Sequence, residues 1–276
     1  MAYAWTVTNA LASLAAGNFV WQSGPSDATR LFMRDGRMGK QFVCTAASGG
    51  NTLNIDMGAA TSLKGFAFLN HNLASFGGTV TVQVQAATLS DYSNAADAKA
   101  ITTLDFTKPH DKDVVLQFPA VSKRYWRLIF TWTGTQTLKV GEVFAYASVT
   151  AISRRDVYGT SGEGHEYRIA EVESDNMERR GYLLTGPRRR KVLAFVDLSE
   201  AERAELETLF YAAKSCVTPI LFVLEQNEVS TAAAATEQDV MFGTLDNTDF
   251  FYGFLDYSRN SVPTLTLRNL GREVGA

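Results

Sequence analysis

Between Trp5 and Ala147 the sequence offers almost no apolar spacing at the helical period, and this absence constrains the fold more than any single motif does. The apolar residues come instead in short runs rich in β-branched and aromatic side chains: LNIDM, GFAFLN, VTVQVQAA, DVVLQF, YWRLIFTW and KVGEVFAY. Clusters of Gly, Asn, Ser and Asp separate these runs. Val80, Val82 and Val84 alternate with Thr81, Gln83 and Gln85, the period of two expected of a strand with one buried face. Val114–Phe118 and Tyr125–Trp132 predict strands that are more fully buried. Many short strands with turn signals between them build a β-sandwich or barrel.

The second half reads differently. From Asp197 to Leu224 the sequence is DLSEAERAELETLFYAAKSCVTPILFVL, and it predicts a helix over Ser199–Lys214 followed at once by a strand. Ser199 and Glu202 have the spacing of a capping box. Glu200, Glu202 and Glu205 sit in the opening turns and Lys214 in the last, as the helix dipole favours. Leu206, Leu209, Phe210 and Ala213 form one apolar face. Pro219 stops the helix, and Ile220–Leu224 predicts a short strand apolar on both faces. Gln226–Asp239 is polar and alanine-rich, and predicts an exposed loop or extended arm. Phe250, Phe251, Tyr252 and Phe254 and the alternating Thr264–Leu267 predict closing strands. The composition changes between Ser148 and Asp156, which predicts two domains, 1–149 and 150–276. The overall expectation is a mainly β chain, with a second β-sandwich or barrel carrying one packed α-helix.

Bulk composition narrows the function. The chain has 276 residues, 46% hydrophobic and 20% charged, with a formal net charge of −3. This suits a folded chain and gives no basic surplus for nucleic acid. Cys44 and Cys216 are too few and too far apart for a disulfide framework or a metal set, and read as two buried thiols. The first residues, MAYAWTVTNALASLAAGNFVW, lack the basic start of a secretory signal and the apolar run of a membrane span. Neither a nucleophile elbow, a phosphate loop, an HExxH helix nor a dinucleotide fingerprint is present. His71, His110 and His165 lie far apart, and the carboxylate pairs Glu163/Glu166 and Asp246/Asp249 fall in polar turns. The expectation is a non-enzyme that needs no cofactor or metal.

Two resemblances add to this reading. Asn54-Ile55-Asp56-Met57-Gly58, Gly65–Phe68, Thr81–Gln85, Arg124-Tyr125-Trp126-Arg127-Leu128 and Gly141–Tyr146 follow one another as the strand motifs of discoidin domains do. The first half thus resembles these galactose-binding-like jelly rolls, with Trp21–Arg30 a looser match. The resemblance implies ligand binding through loops at one end of a sandwich, around Asp27–Gly39, His71–Gly78 and Asp91–Ala100. A glycan site there would draw on Arg34, Arg37, His71, Asn72 and Phe76, which are otherwise ordinary loop residues. In the second half, Leu206, Leu209, Phe210, Thr218, Pro219, Leu221, Phe222, Phe242-Gly243, Leu265 and Leu267 follow an order similar to that of the tail-tube, distal-tail and minor tail proteins of long-tailed bacteriophages. The cysteine cluster that some minor tail proteins use for an iron–sulfur group is missing.

Two functions follow from these resemblances. The first is a structural subunit of a virion tail tip, forming or decorating a homo-oligomeric ring (a hexamer or trimer) beside the tail tube, hub and tip proteins. Its assembly contacts would include Arg188, Arg189 and Arg190 and the arm residues Glu228, Val229 and Glu237. The strand Glu166–Glu173, only weakly directed to one face, is a second candidate for pairing with another chain. The alternative is a carbohydrate-binding receptor-recognition protein holding a host-surface glycan. Arg188–Lys191 itself has three readings: a solvated loop, an intersubunit contact for carboxylates, or a nucleic-acid patch, the last unsupported by overall charge.

Overall fold

A computed structural model describes residues 3–24, 28–35, 40–104, 106, 113–152, 162–173, 179–214, 218–223, 240–246, 253–256 and 259–269. The chain is mainly β and divides into two compact units, one carrying Ala4–Thr150 and the other Ala151–Phe222 with Met241–Ala276.

The first unit holds β2 (Phe19–Trp21), β3 (Phe42–Val43), β4 (Ala47–His71), β5 (Val80–Ala87), β6 (Ala96–Leu104), β7 (Val114–Gln136) and β8 (Lys139–Tyr146). Its strand order is β3-β8-β4-β7-β5-β6, with β2 on β4. Two strands, β4 and β7, are long enough to serve both layers. Leu53–Asp56 pairs with Tyr125–Leu128, and β2 and β5 flank this part. After a register break between Asp56 and Thr61, Gly65–Phe68 pairs with Val114–Gln117 on one side and with β8 on the other. The antiparallel pair thus folds over a corner, and its two halves face each other as a jelly-roll-like sandwich.

The core lies between those halves. Phe66 meets the edge of Trp126 at 5.7 Å, and Phe68 that of Phe130 at 4.8 Å, each pair reaching from one layer to the other. On β5 the predicted alternation is seen: Val80, Val82 and Val84 are buried and Thr81, Gln83 and Gln85 are half-exposed. Val114–Leu116 is buried on both faces. Tyr125–Trp132 departs from the expectation of fuller burial, because only Trp126, Leu128, Phe130 and Trp132 point into the core. Tyr125, Arg127 and Ile129 lie on the open face, which β7 shares with β5.

The chain entry to this unit is fixed by one amide. Asn9 accepts from the Leu11 and Ala145 backbone amides and donates to the Val143 carbonyl and the buried Glu142 carboxylate, at 3.0–3.1 Å. Asn51 does the same on another edge, bonding both backbone groups of Ser23. Cys44 is a free, buried thiol whose pKa is pushed up to about 12 by that burial, while Asn51 pulls it the other way.

The second sheet contains β1 (Tyr3–Thr6), β9 (Thr150–Ile152), β10 (Gly162–Glu173), β11 (Arg179–Leu198), β12 (Ile220–Val223), β13 (Val240–Leu245), β14 (Gly253–Asp256) and β15 (Arg259–Asn269). The order is β10-β11-β15-β13-β12-β1-β9, with β14 on β15. One helix, α1 (Glu200–Ala212), lies against β11 and β15. The capping box forms as the sequence predicts: Ser199 Oγ accepts from the Glu202 amide, and the Glu202 carboxylate accepts from the Ser199 amide at 2.8 Å. Leu206, Leu209 and Ala213 are buried, while Phe210 is half-buried on the flank of the apolar face. Lys214 lies past the last helical turn at φ 46°, where it closes the helix rather than extending it.

Two expectations need revision or a boundary. Arg188, Arg189 and Arg190 do not form a loop: they lie in β11, paired with Glu166, His165 and Gly164 of β10. The register of this strand on β10 places Glu163 and Glu166 opposite Lys191 and Arg188. Arg37, Cys216, Glu228, Val229, Glu237 and Phe250–Tyr252 lie outside the described residues.

Candidate functional site

The corner of the sandwich is built by a short motif. After Asp56 the chain must turn between layers, and Gly58 adopts φ 76°, a left-handed conformation that a side chain would oppose. The Asp56 carboxylate accepts from the Gly58 amide at 2.8 Å, and Asn18 donates to the Asp56 carbonyl at 2.7 Å. Arg124, where β7 rounds the same corner, grips that carboxylate with Nε and Nη2 at 2.8 and 3.0 Å. This bond holds the Asp56 carboxyl below its ordinary range, with the Gly58 amide helping. The two side chains are 32% and 44% exposed, so the pair positions the corner more than it stabilises it.

A row of planar and polar side chains starts at this corner and crosses the open face of the sheet. Asp56 stands opposite Tyr125, Gln85 opposite Arg127, and Asp97 opposite Gln85, so these residues of β4, β7, β5 and β6 share one face. The Arg124 guanidinium lies over the Tyr125 ring at 4.9 Å, and that of Arg127 over the Tyr92 ring at 4.9 Å. The two tyrosines meet edge to face at 6.4 Å. Arg127 Nε donates to Gln85 Oε1 at 2.6 Å, and Gln85 Nε2 and Gln83 Nε2 donate to Asp97 Oδ1 at 2.8 and 2.9 Å. Beneath this face Trp126, Leu128, Val84 and Ile55 are fully buried, so the row stands on a rigid floor.

Tyr92 reaches the row from the turn between β5 and β6. Its backbone is left-handed at φ 58°, uncommon for a bulky residue. The turn is fastened on both sides: Asp91 Oδ1 accepts from the Ser93 amide and hydroxyl, and Asn94 bonds Thr88. The Tyr92 hydroxyl donates to the Trp126 carbonyl at 2.8 Å. Burial pushes its pKa up to about 12 against smaller pulls from the Ile55 amide and Arg127. The strained turn thus delivers one half-buried aromatic ring to the row.

The residues expected to bind a glycan lie elsewhere. His71 ends β4 and is 5% exposed; its Nδ1 accepts from the Leu73 amide, and its ring meets Phe106 at 6.0 Å. Asn72 uses its amide to donate to the Thr137 carbonyl at 2.9 Å and to accept from the Lys139 amide at 2.8 Å. Phe76 is 7% exposed and packs against the edge of Trp132 at 5.1 Å. These three hold the turn after β4 onto β8 and the core. Arg34 is half-buried at the end of the 3-10 turn Ala28–Arg34. Of the three expected binding loops, the segment Asp91–Ala100 supplies Tyr92 and Asp97 to the row. Among the described residues no three His, Cys, Asp or Glu side chains gather as a metal site requires, and no helix is long and apolar enough to cross a membrane.

No protein-family model and no curated protein matches the chain. Solved structures do match its sandwich half. A carbohydrate-binding module from Clostridium perfringens, in complex with GalNAc-β-1,3-galactose, is 15% identical at a TM-score of 0.38, over 49% of this chain and 99% of the module. A chitosan-binding module from a Paenibacillus chitosanase/glucanase is 16% identical at 0.38, over 51% and 99%. The lectin domain of lectinolysin, complexed with Lewis B antigen, is 14% identical at 0.36, over 49% and 98%. At such identities and scores neither fold nor ligand transfers, so the sandwich is assigned from its own strand order.

Proposed function

We propose that the Ala4–Thr150 sandwich is a carbohydrate-recognition module and that its ligand lies on the Tyr92–Tyr125–Arg127–Gln85–Asp97 row. The observation that carries this reading is the joining, on one rigid open face, of aromatic rings with fixed guanidinium, amide and carboxylate groups. Sugars present C–H faces to rings and hydroxyls that both donate and accept, and this set answers all three. In this reading the module binds its ligand without reacting. The ligands of the neighbouring structures, GalNAc-β-1,3-galactose and Lewis B antigen, are the first probes to try. A glycan array followed by titration calorimetry on the full chain tests the reading: Tyr125→Ala should lose binding while keeping its circular dichroism and melting cooperativity. A folded variant that binds as well as the parent would remove the row from consideration.

The strand register favours a second reading for the other unit. Glu166–Glu173 pairs with Arg179–Arg188, and β11 meets β15 only from Arg190 onward, so this part of β10 and β11 is a two-stranded ribbon among the described residues. Such a ribbon is marginal by itself and gains from a partner. We infer that it seats on a second copy of the chain, as a ring-forming virion tail subunit would require. Native mass by light scattering decides the point: a closed oligomer lost on shortening the ribbon supports it, and a monomer at all concentrations refutes it.

A further inference from the structure

The row is longer than one sugar and carries no surplus charge, and both facts bear on what it holds. It crosses β4, β7, β5 and β6, three inter-strand steps, which at the usual strand spacing is about 14 Å. A single pyranose ring would cover only part of that length. Its groups are also not gathered around one point, as a pocket for a chain end would gather them. They are strung out in sequence: the Asp56–Arg124 pair, the Tyr125 and Tyr92 rings, Arg127, Gln85, and Asp97 with Gln83.

The charges are answered within the row. Asp56 takes Arg124 in a two-point bond. Arg127 is tied through Gln85 to Asp97, the amide accepting from the guanidinium and donating to the carboxylate. One other charge is close, Asp91 beside Tyr92, and it is a further carboxylate; Lys99, two residues beyond Asp97, stands opposite the buried Val84. A uronate or sialate would have to compete with Asp56 or Gln85 for a guanidinium while facing the carboxylates of Asp56, Asp91 and Asp97. An uncharged sugar chain meets no such opposition, and its hydroxyls match groups already oriented by their neighbours.

We infer that the row is an extended site for an internal stretch of an uncharged, linear polysaccharide, rather than a pocket for a terminal or acidic sugar. This rests on the carbohydrate-recognition reading above and adds the class and binding mode of its ligand. The test is calorimetry of the full chain with neutral oligosaccharides of one to six residues, the same series reduced at its end, and uronic-acid oligosaccharides, each at low and high salt. The inference expects affinity to rise at least tenfold from one residue to three and then level off. It also expects reduced ends to bind equally, and high salt to change affinity by less than about twofold because no net charge is being screened. Gln83→Ala, at the far end of the row from Asp56, should weaken the long ligands by a larger factor than the monosaccharide, and an equal factor for both would count against the extended site. A monosaccharide that binds as tightly as the trisaccharide overturns the extended site. Salt-sensitive preference for the uronic series overturns the uncharged class. Both of those outcomes leave carbohydrate recognition standing, whereas failure of every neutral and acidic sugar to bind a folded chain overturns that reading itself.

Discussion

Replacing Tyr92 separates the parts of the row proposed to bind from the parts that hold it in place. Tyr92→Phe removes the hydroxyl bond to the Trp126 carbonyl and leaves the ring, so it should cost about 1 kcal/mol of stability, the value of one part-buried hydrogen bond. Tyr92→Asn removes the ring as well, while keeping a residue that tolerates the left-handed backbone at φ 58°. Half of a tyrosine's usual buried area, at about 25 cal/mol per Å², is worth about 2.5 kcal/mol. Relief of backbone strain returns about 1 kcal/mol of this, so with the lost hydrogen bond the Asn variant should fall about 2 to 3 kcal/mol below the parent. Urea melts of the full chain measure both changes. Binding should divide differently: the Phe variant stays within about twofold of the parent, and the Asn variant loses about tenfold, equivalent to 1.4 kcal/mol. Equal loss of binding in both variants would show that the hydroxyl matters and the aromatic face does not. Unchanged binding in the Asn variant would remove Tyr92 from the site.

Other perturbations test the frame. Tyr92 has a raised pKa, so its stabilising contribution is complete below the unfolded value of 10.0 and is lost as pH rises toward about 12; the alkaline fall in melting temperature should be shallower in Tyr92→Phe. Asp56 has a lowered pKa, so its contribution is complete above 3.8 and is lost as pH falls through its lower folded value; Asp56→Asn should flatten that acid limb in an acid titration of stability. Gly65→Ala would place a methyl group 2.7 Å from the Leu116 carbonyl and against the buried Tyr146 ring, costing about 1–3 kcal/mol or more by thermal melting. In α1, Leu209→Ala should cost about 2–5 kcal/mol and Phe210→Ala clearly less, because Phe210 is only half-buried; a reversed order would mean that the helix is turned on its sheet.

What was legible in the sequence was what depends on near neighbours. The alternation in β5 and the capping box at Ser199 are set within a few residues, and both are found where the pattern places them. Tyr125–Trp132 was harder, because Arg127 and Tyr125 look like interruptions of an apolar run until the partner strand shows that they share a face with Gln85. Arg188–Arg190 reads as a solvated loop for the same reason. Its strand partner β10 lies more than twenty residues earlier, and only the register brings Glu166 opposite Arg188. Tyr92 lies in the expected binding loop Asp91–Ala100 but is not among the residues singled out for a glycan. The available signal was an aromatic residue inside SDYSN, a turn whose Asp91 and Asn94 can fix the backbone locally.

The motifs IDMG and RYWR show how the corner of the fold and the proposed recognition surface come to share residues. Each is visible in the sequence as a strand motif, yet the chemistry arises between them, where Asp56 and Arg124 close the corner at which β4 and β7 change layers. Fixing that corner also fixes the register of Tyr125 against Asp56 and of Arg127 against Gln85. The same bond that guides the fold therefore aligns the aromatic and polar groups of the open face. Because the pair is exposed, removing it should disturb that alignment more than overall stability. Arg124→Met separates these effects: a melting temperature close to the parent's with markedly weaker oligosaccharide binding is the expected result. A variant that binds normally would show that β-sheet pairing alone sets the row, and that the corner pair serves neither binding nor alignment.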